Sequence, residues 1–135
     1  MSAPEHGGMV AQMPFAAVIG VELVEAAPER CVGRLAWSAD RCTAAGVLHG
    51  GALMTLADSI AALCAFLNLP EGATTATIES KTNFFRAVRE GHVDASSRPL
   101  HVGRATIVVQ TDLVDAGGRL VGQTTQTQAV ILGAS

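Results

Sequence analysis

The chain has 135 residues, 49% of them hydrophobic, and a net charge of −3. That length suits one domain able to bury a core without metal or disulfide staples. The nine basic residues are scattered, which argues against nucleic acid as the main partner, and the positive mean hydropathy points to self-association through an apolar face.

Met1 to Gly8 carries no basic segment followed by an apolar run, so no signal peptide is expected, and residues 1–13 read as a flexible tail. The domain is expected over 14–135. Pro14-Phe15-Ala16-Ala17-Val18 suits a short helix with proline near its start. Val21 to Ala26 reads as a strand and Pro28-Glu29 as a turn. Cys31 to Ser38 alternates as a second strand, with Trp37 on a packed face, and Asp40 to Val47 is a loop. A helix is expected from about Gly50 to Asn68. Leu53, Leu56, Ala57, Ile60, Leu63, Cys64 and Leu67 form its broad apolar stripe, while Met54, Asp58, Ala61, Ala62 and Ala65 form a second face of mostly small residues. Asn68, Pro70 and Gly72 stop it. This apolar stretch is rich in alanine and interrupted by Asp58, so it reads as a buried helix and not a membrane span.

Strands follow at Thr74 to Phe85, at His92 to Arg98 (broken by Pro99), at Arg104 to Val114 and at Leu120 to Leu132. Ala116-Gly117-Gly118 forms the hairpin turn before the last. One long helix against a mostly antiparallel sheet is an α+β fold, with a curved sheet wrapping the helix. Cys31, Cys42 and Cys64 are odd in number and lack a C-x-x-C spacing, so they read as reduced thiols, and the expected compartment is the cytoplasm.

The most informative stretch is His49-Gly50-Gly51 followed by an apolar run whose one charge is Asp58. A carboxylate in an apolar helix is costly to bury, and such a residue is usually kept for chemistry or a specific partner. The glycines sit where the helix starts, and a first helical turn presents free N–H groups able to meet developing negative charge. A loop donor and a carboxylate together read as an acyl-transfer site.

Val47-Leu48-His49-Gly50-Gly51-Ala52-Leu53 with Leu56-Ala57-Asp58 resembles the hot-dog-fold acyl-CoA thioesterases, most closely the phenylacetate-degradation type. Asn83-Phe84-Phe85-Arg86, Gly103-Arg104 and the hairpin Asp115 to Leu120 fit as well, so the resemblance runs from about Pro14 to Ile131. His6-Gly7-Gly8 repeats the tripeptide without the helix or the acid and is taken as coincidence. The resemblance implies hydrolysis of acyl-CoA to free acid and coenzyme A, with no cofactor beyond the CoA of the substrate. It implies that the Gly50 N–H polarises the thioester carbonyl and that Asp58 acts as nucleophile or as base for water. It further implies a homodimer with antiparallel central helices, paired again into a homotetramer. Some relatives carry a hydroxyl residue one turn after the acid, where this chain has Ala62. Others use Ser or Thr on the third strand, a role open to Thr77.

His49 is expected to cap the helix and shape the loop through its ring N–H groups, and Gly50 and Gly51 to allow positive φ or close backbone approach, with Gly51 a candidate substrate contact. Arg86 and Arg104, the latter with Gly103 at a strand start and His101 on the same rim, are candidate contacts for the CoA phosphates. Two other readings remain open: a non-catalytic acyl-CoA-binding module, and a hot-dog hydratase or dehydratase, in which a histidine and an acid move a proton on the acyl chain.

Spacing adds an independent constraint. Gly50 and Asp58 lie eight residues apart, about 12 Å along a helix. A reacting carbonyl needs both its donor and its nucleophile within roughly 3 Å. One copy of the helix cannot supply both, whereas two antiparallel copies can.

Overall fold

The computed structural model describes residues 8–133. Element order is α1 (Pro14–Ile19), β1 (Glu22–Ala27), β2 (Arg30–Ala36), α2 (Gly50–Phe66), β3 (Thr74–Phe84), β4 (His92–Val102), β5 (Thr106–Asp115) and β6 (Leu120–Ile131), with two short 3-10 turns between β2 and α2. All strand pairings are antiparallel, in the order β1-β2-β4-β5-β6-β3. The hot-dog arrangement expected from the sequence is therefore present, a six-stranded sheet against one long helix. Among the described residues no helix is long and apolar enough to cross a membrane.

The core forms where the apolar stripe of α2 meets the inner face of the central strands. Leu53, Leu56, Ala57, Ile60 and Cys64 pack with Leu35 of β2, Val93 and Ala95 of β4, and Ile107, Val109 and Leu113 of β5, all buried. Each fully buried leucine or isoleucine contributes about 1.5–3 kcal/mol. The helix crosses β2 at Gly33, where an added Cβ would collide with the Ile60 side chain and lie 3.3 Å from the Glu22 carbonyl oxygen. Gly33→Ala is expected to destabilise the fold by about 1–3 kcal/mol through overpacking. Denaturant unfolding checks this, and unchanged stability would show that the helix does not seat at this point.

Several expectations need correction. Residues 8–11, inside the segment read as a tail, form a helical turn, and Val10 is buried, while residues 1–7 lie outside those described. The central helix ends at Phe66, two residues early. Strand β4 does not break at Pro99. It runs on to Val102 with a register irregularity between Pro99 and His101, the local disruption that lets a strand carry a residue without an N–H. Arg104 is not in a strand, because Gly103 N–H donates to the Thr106 carbonyl at 2.8 Å and closes the β4–β5 turn around it. Ala61 and Ala65 are buried in the core and do not belong to the open face of α2. That face consists of Gly51, Met54, Asp58 and Phe66, with half-buried Ala62 among them. The β5–β6 hairpin is as expected. Gly118 takes φ +83°, and Asp115 accepts from the Gly117 and Arg119 N–H groups at 3.0 and 2.9 Å.

The segment before α2 is pinned from three sides. Arg41 donates through Nε to the Ile19 carbonyl that ends α1 (2.6 Å) and through Nη1 to the Ala36 carbonyl that ends β2 (3.0 Å). Trp37 Nε1 donates to the Gly46 carbonyl (2.9 Å), and Leu48 N–H to that of Val88 (2.9 Å). These contacts hold the His49-Gly50-Gly51 turn at one end of the sheet.

Candidate active site

His49 is the N-cap of α2, with extended backbone (φ −65°, ψ 134°). Its ring Nδ1 accepts from the Gly51 N–H at 2.8 Å, and its carbonyl accepts from Ala52 and Leu53 N–H at 3.0 and 3.1 Å. The ring therefore satisfies one of the first-turn donors by accepting through Nδ1, not by donating a ring N–H. The neighbouring Gly50 N–H meets no acceptor among the described residues. Gly50 lines a groove of about 410 Å³ together with Leu48, Phe84, Phe85 and Arg86. A Cβ at Gly50 would lie 3.3 Å from the Phe84 ring, so the glycine lets the backbone come close to this wall. A main-chain donor left open beside an apolar wall and an arginine can bind an anionic or carbonyl oxygen.

Asp58 opens onto a different groove, of about 600 Å³, between α1, α2 and β3. Met13, Phe15, Met54 and Ala62 give it an apolar lining, and Asp58 is its one charged lining residue. The expectation of a buried carboxylate is corrected here, because Asp58 is exposed in the single chain and sits on a helix face that is open among the described residues. Thr77 of β3 places Oγ1 3.2 Å from Asp58 Oδ1. The other hydroxyls on this stretch are engaged within the helix. Thr55 Oγ1 donates to the Gly51 carbonyl (2.9 Å) and Ser59 Oγ to that of Thr55 (2.6 Å). Asp58 joins no ion pair within the chain among the described residues.

Two residues missed in the sequence complete this site. Gln126 Nε2 donates to Asp58 Oδ1 at 3.1 Å and to Gln128 Oε1 at 2.8 Å. Both glutamines are buried on the inner face of β6. A signal was available: from Gln123 to Gln128 every residue of the strand is Thr or Gln, so one polar set must point inward.

The remaining candidates divide by position. Arg86 is exposed and shares the Gly50 groove, and Gly51 lines the groove beside His49 and Arg41. His101, Gly103 and Arg104 lie together at the β4–β5 turn, with the His101 ring across Gly103. Strand pairing puts that turn at the Thr74 end of β3 and Arg86 at the Phe84 end, roughly 30 Å away along the strand. Within one chain, then, Asp58 and Thr77 come together, Gly50 and Arg86 come together, and His101 to Arg104 stand apart from both. No group of three or more His, Cys, Asp or Glu suited to a metal occurs among the described residues. Cys31 and Cys64 are buried and neighbouring in the core; the hydrogen bond between their thiols, followed by burial, pushes the Cys64 thiol up, and the same hydrogen bond lowers that of Cys31.

Comparison with known proteins bears on this geometry. The family model described as the Thioesterase superfamily matches residues 45–122, which span both the His49-Gly50-Gly51 turn and Asp58. ComA2 of Bacillus subtilis, a protein named as an esterase, is 37% identical over 115 residues, covering 84% of this chain and 90% of that protein. The 1,4-dihydroxy-2-naphthoyl-CoA hydrolase of Escherichia coli is 35% identical over 86 residues, 64% of this chain and 63% of the hydrolase. Among solved structures, a thioesterase from Haemophilus influenzae superimposes with a TM-score of 0.85 at 28% identity, covering 90% of this chain and 85% of that one.

Proposed function

Because this chain belongs to the thioesterase superfamily, we propose that its thioester hydrolysis acts on acyl-CoA, at a site built from two protomers. The observation that carries this reading is the Asp58 carboxylate, held on Oδ1 by Gln126 in a groove where it is the one charged lining residue, and separated along the helix from the open Gly50 N–H.

The chemistry follows from those two groups. A thioester is an activated acyl group with a good leaving thiolate. The Gly50 N–H polarises its carbonyl and takes up the charge that develops on oxygen. Asp58 supplies the ionised carboxylate. It attacks the carbonyl carbon, giving a mixed anhydride that water then cleaves, or it takes the proton from an attacking water. In both modes the C–S bond breaks, the CoA thiolate leaves and one water is consumed.

Two features support an antiparallel dimer as the working unit. The face of α2 that carries Gly51, Met54, Asp58 and Phe66 is uncovered among the described residues, and β3 is an eleven-residue edge strand with most of its side chains exposed. Two such helices packed antiparallel bring Gly50 of each beside Asp58 of the other. They also carry the β4–β5 turn of one protomer toward the Gly50 end of its twin, where Arg104 and Arg86 can share the phosphates of one CoA.

The test is release of free CoA thiol from aryl, short-chain and medium-chain acyl-CoAs. Release supports the reading. Tight binding without release would make the protein an acyl-CoA-binding module, and loss of enoyl absorbance without free thiol would make it a hydratase.

A further inference from the structure

The inner face of β6 carries two glutamines where the neighbouring strand β5 carries apolar side chains. Gln126 is 0% exposed and Gln128 1%, and they pair across the sheet with Val109 and Ile107. Burying two amides in such a setting is costly unless every donor and acceptor is met. Here each side-chain nitrogen and oxygen of the two has at least one partner, and the order in which they are met has a fixed direction.

The direction starts at the main chain. Thr75 Oγ1 donates to the Ala129 carbonyl at 2.8 Å, and a carbonyl can only accept. With its proton spent there, the Thr75 oxygen must accept, and it does so from Gln128 Nε2 at 3.1 Å. That orients the Gln128 amide so that Oε1 faces Gln126, whose Nε2 donates to it at 2.8 Å. The second proton of Gln126 Nε2 then points at Asp58 Oδ1, 3.1 Å away, and Gln126 Oε1 accepts from Ser80 Oγ at 3.4 Å. Thr77 has one proton for two acceptors, Gln128 Oε1 at 2.6 Å and Asp58 Oδ1 at 3.2 Å, and the shorter contact leads to Gln128. The donor that Asp58 can count on is therefore Gln126. Both contacts fall on Oδ1, and Oδ2 has no partner among the described residues.

We propose that Gln126, oriented by Gln128 and Thr75, is the positioning residue for Asp58: it occupies Oδ1 with an N–H, fixes the carboxylate plane and leaves Oδ2 as the oxygen that works on the thioester. This rests on the reading of Asp58 as the reacting carboxylate. Through Gln126 the relay meets Asp58 Oδ1 with a donor. Its origin at a backbone carbonyl means that reversing it would break the Thr75–Ala129 hydrogen bond.

The test is steady-state kinetics on an acyl-CoA that the unmodified protein hydrolyses, with melting temperature measured in parallel. Gln126→Met keeps the length and removes the donor. It is expected to lower kcat by roughly 10- to 100-fold, the scale of a misplaced catalytic group, with KM within about twofold. Thr75→Val acts at a distance, since the Thr75 hydroxyl bonds Gln128 and the main chain and does not bond Asp58. It is expected to lower kcat in the same way, and Thr75→Ser to restore it, a rescue that mere loss of packing would not produce. In an Asp58→Asn background, Gln126→Met is expected to add no further loss. Unchanged kcat in Gln126→Met, or losses that multiply in the double variant, would overturn the proposal. An Asp58→Asn protein that remains active would instead overturn the reading of the site, so the two failures are told apart within one panel.

Discussion

Replacing Asp58 with asparagine is expected to lower kcat by about 10²-fold or more while leaving the melting temperature nearly unchanged. The substitution is isosteric, and the new amide can neither attack a carbonyl nor take a proton from water. Asparagine retains an oxygen able to accept from Gln126 Nε2, so the buried relay on β6 keeps its last partner. The side chain is exposed on the open face of α2 and joins no ion pair within the chain among the described residues, so loss of its charge removes little folding energy. A fall in activity without a fall in stability separates chemistry from structure. A variant that turns over acyl-CoA at close to the normal rate would show that the carboxylate is not the reacting group.

The second large effect is expected at Gly50, where the proposed participant is a main-chain N–H that ordinary side-chain substitution leaves in place. Gly50→Pro removes it with little cost to the helix. Proline is favoured at the first helical position, and His49 already has the extended ψ of 134° that a residue preceding proline adopts. The new ring would press on Phe84, which is 46% exposed and free to swing aside. Loss of one oxyanion donor costs about 10²–10³ in kcat. Gly50→Ala, which keeps the N–H, should retain most of the activity. Equal activity in the proline and alanine variants would place the donor elsewhere.

The parts of this molecule that were legible in the sequence are those in which a local pattern and a tertiary role coincide. The period of Leu53, Leu56, Ala57, Ile60 and Cys64 defines the buried side of α2, and the β-branched run in β5 defines a central strand. The distance between Gly50 and Asp58 is legible because helical rise is fixed. What was not legible depended on which partner a face meets. Ala61 and Ala65 are small in either setting, and only the seating of α2 against the sheet shows them to be core. Asp58 reads as buried because the run around it is apolar, whereas its side chain lies in an open groove beside Thr77 of β3 and Gln126 of β6. Gln126 and Gln128 escaped notice because polar residues in a strand are ordinarily read as its outer face. Their register against Val109 and Ile107 turns them inward. Pro99 suggested a break that the bulge before His101 absorbs.

The central claim is that the donor and the carboxylate of each working site come from different protomers. Mixing the Asp58→Asn and Gly50→Pro proteins under conditions that exchange subunits tests it most directly. Each parent protein is expected to be nearly inactive. In a mixed dimer, one site would combine an intact Gly50 from the first protomer with an intact Asp58 from the second, and a one-to-one mixture should recover about a quarter of the unmodified activity, since half of the dimers are mixed and half of their sites are whole. No recovery after confirmed exchange would contradict the account, because it would mean that Gly50 and Asp58 serve the same site from the same chain.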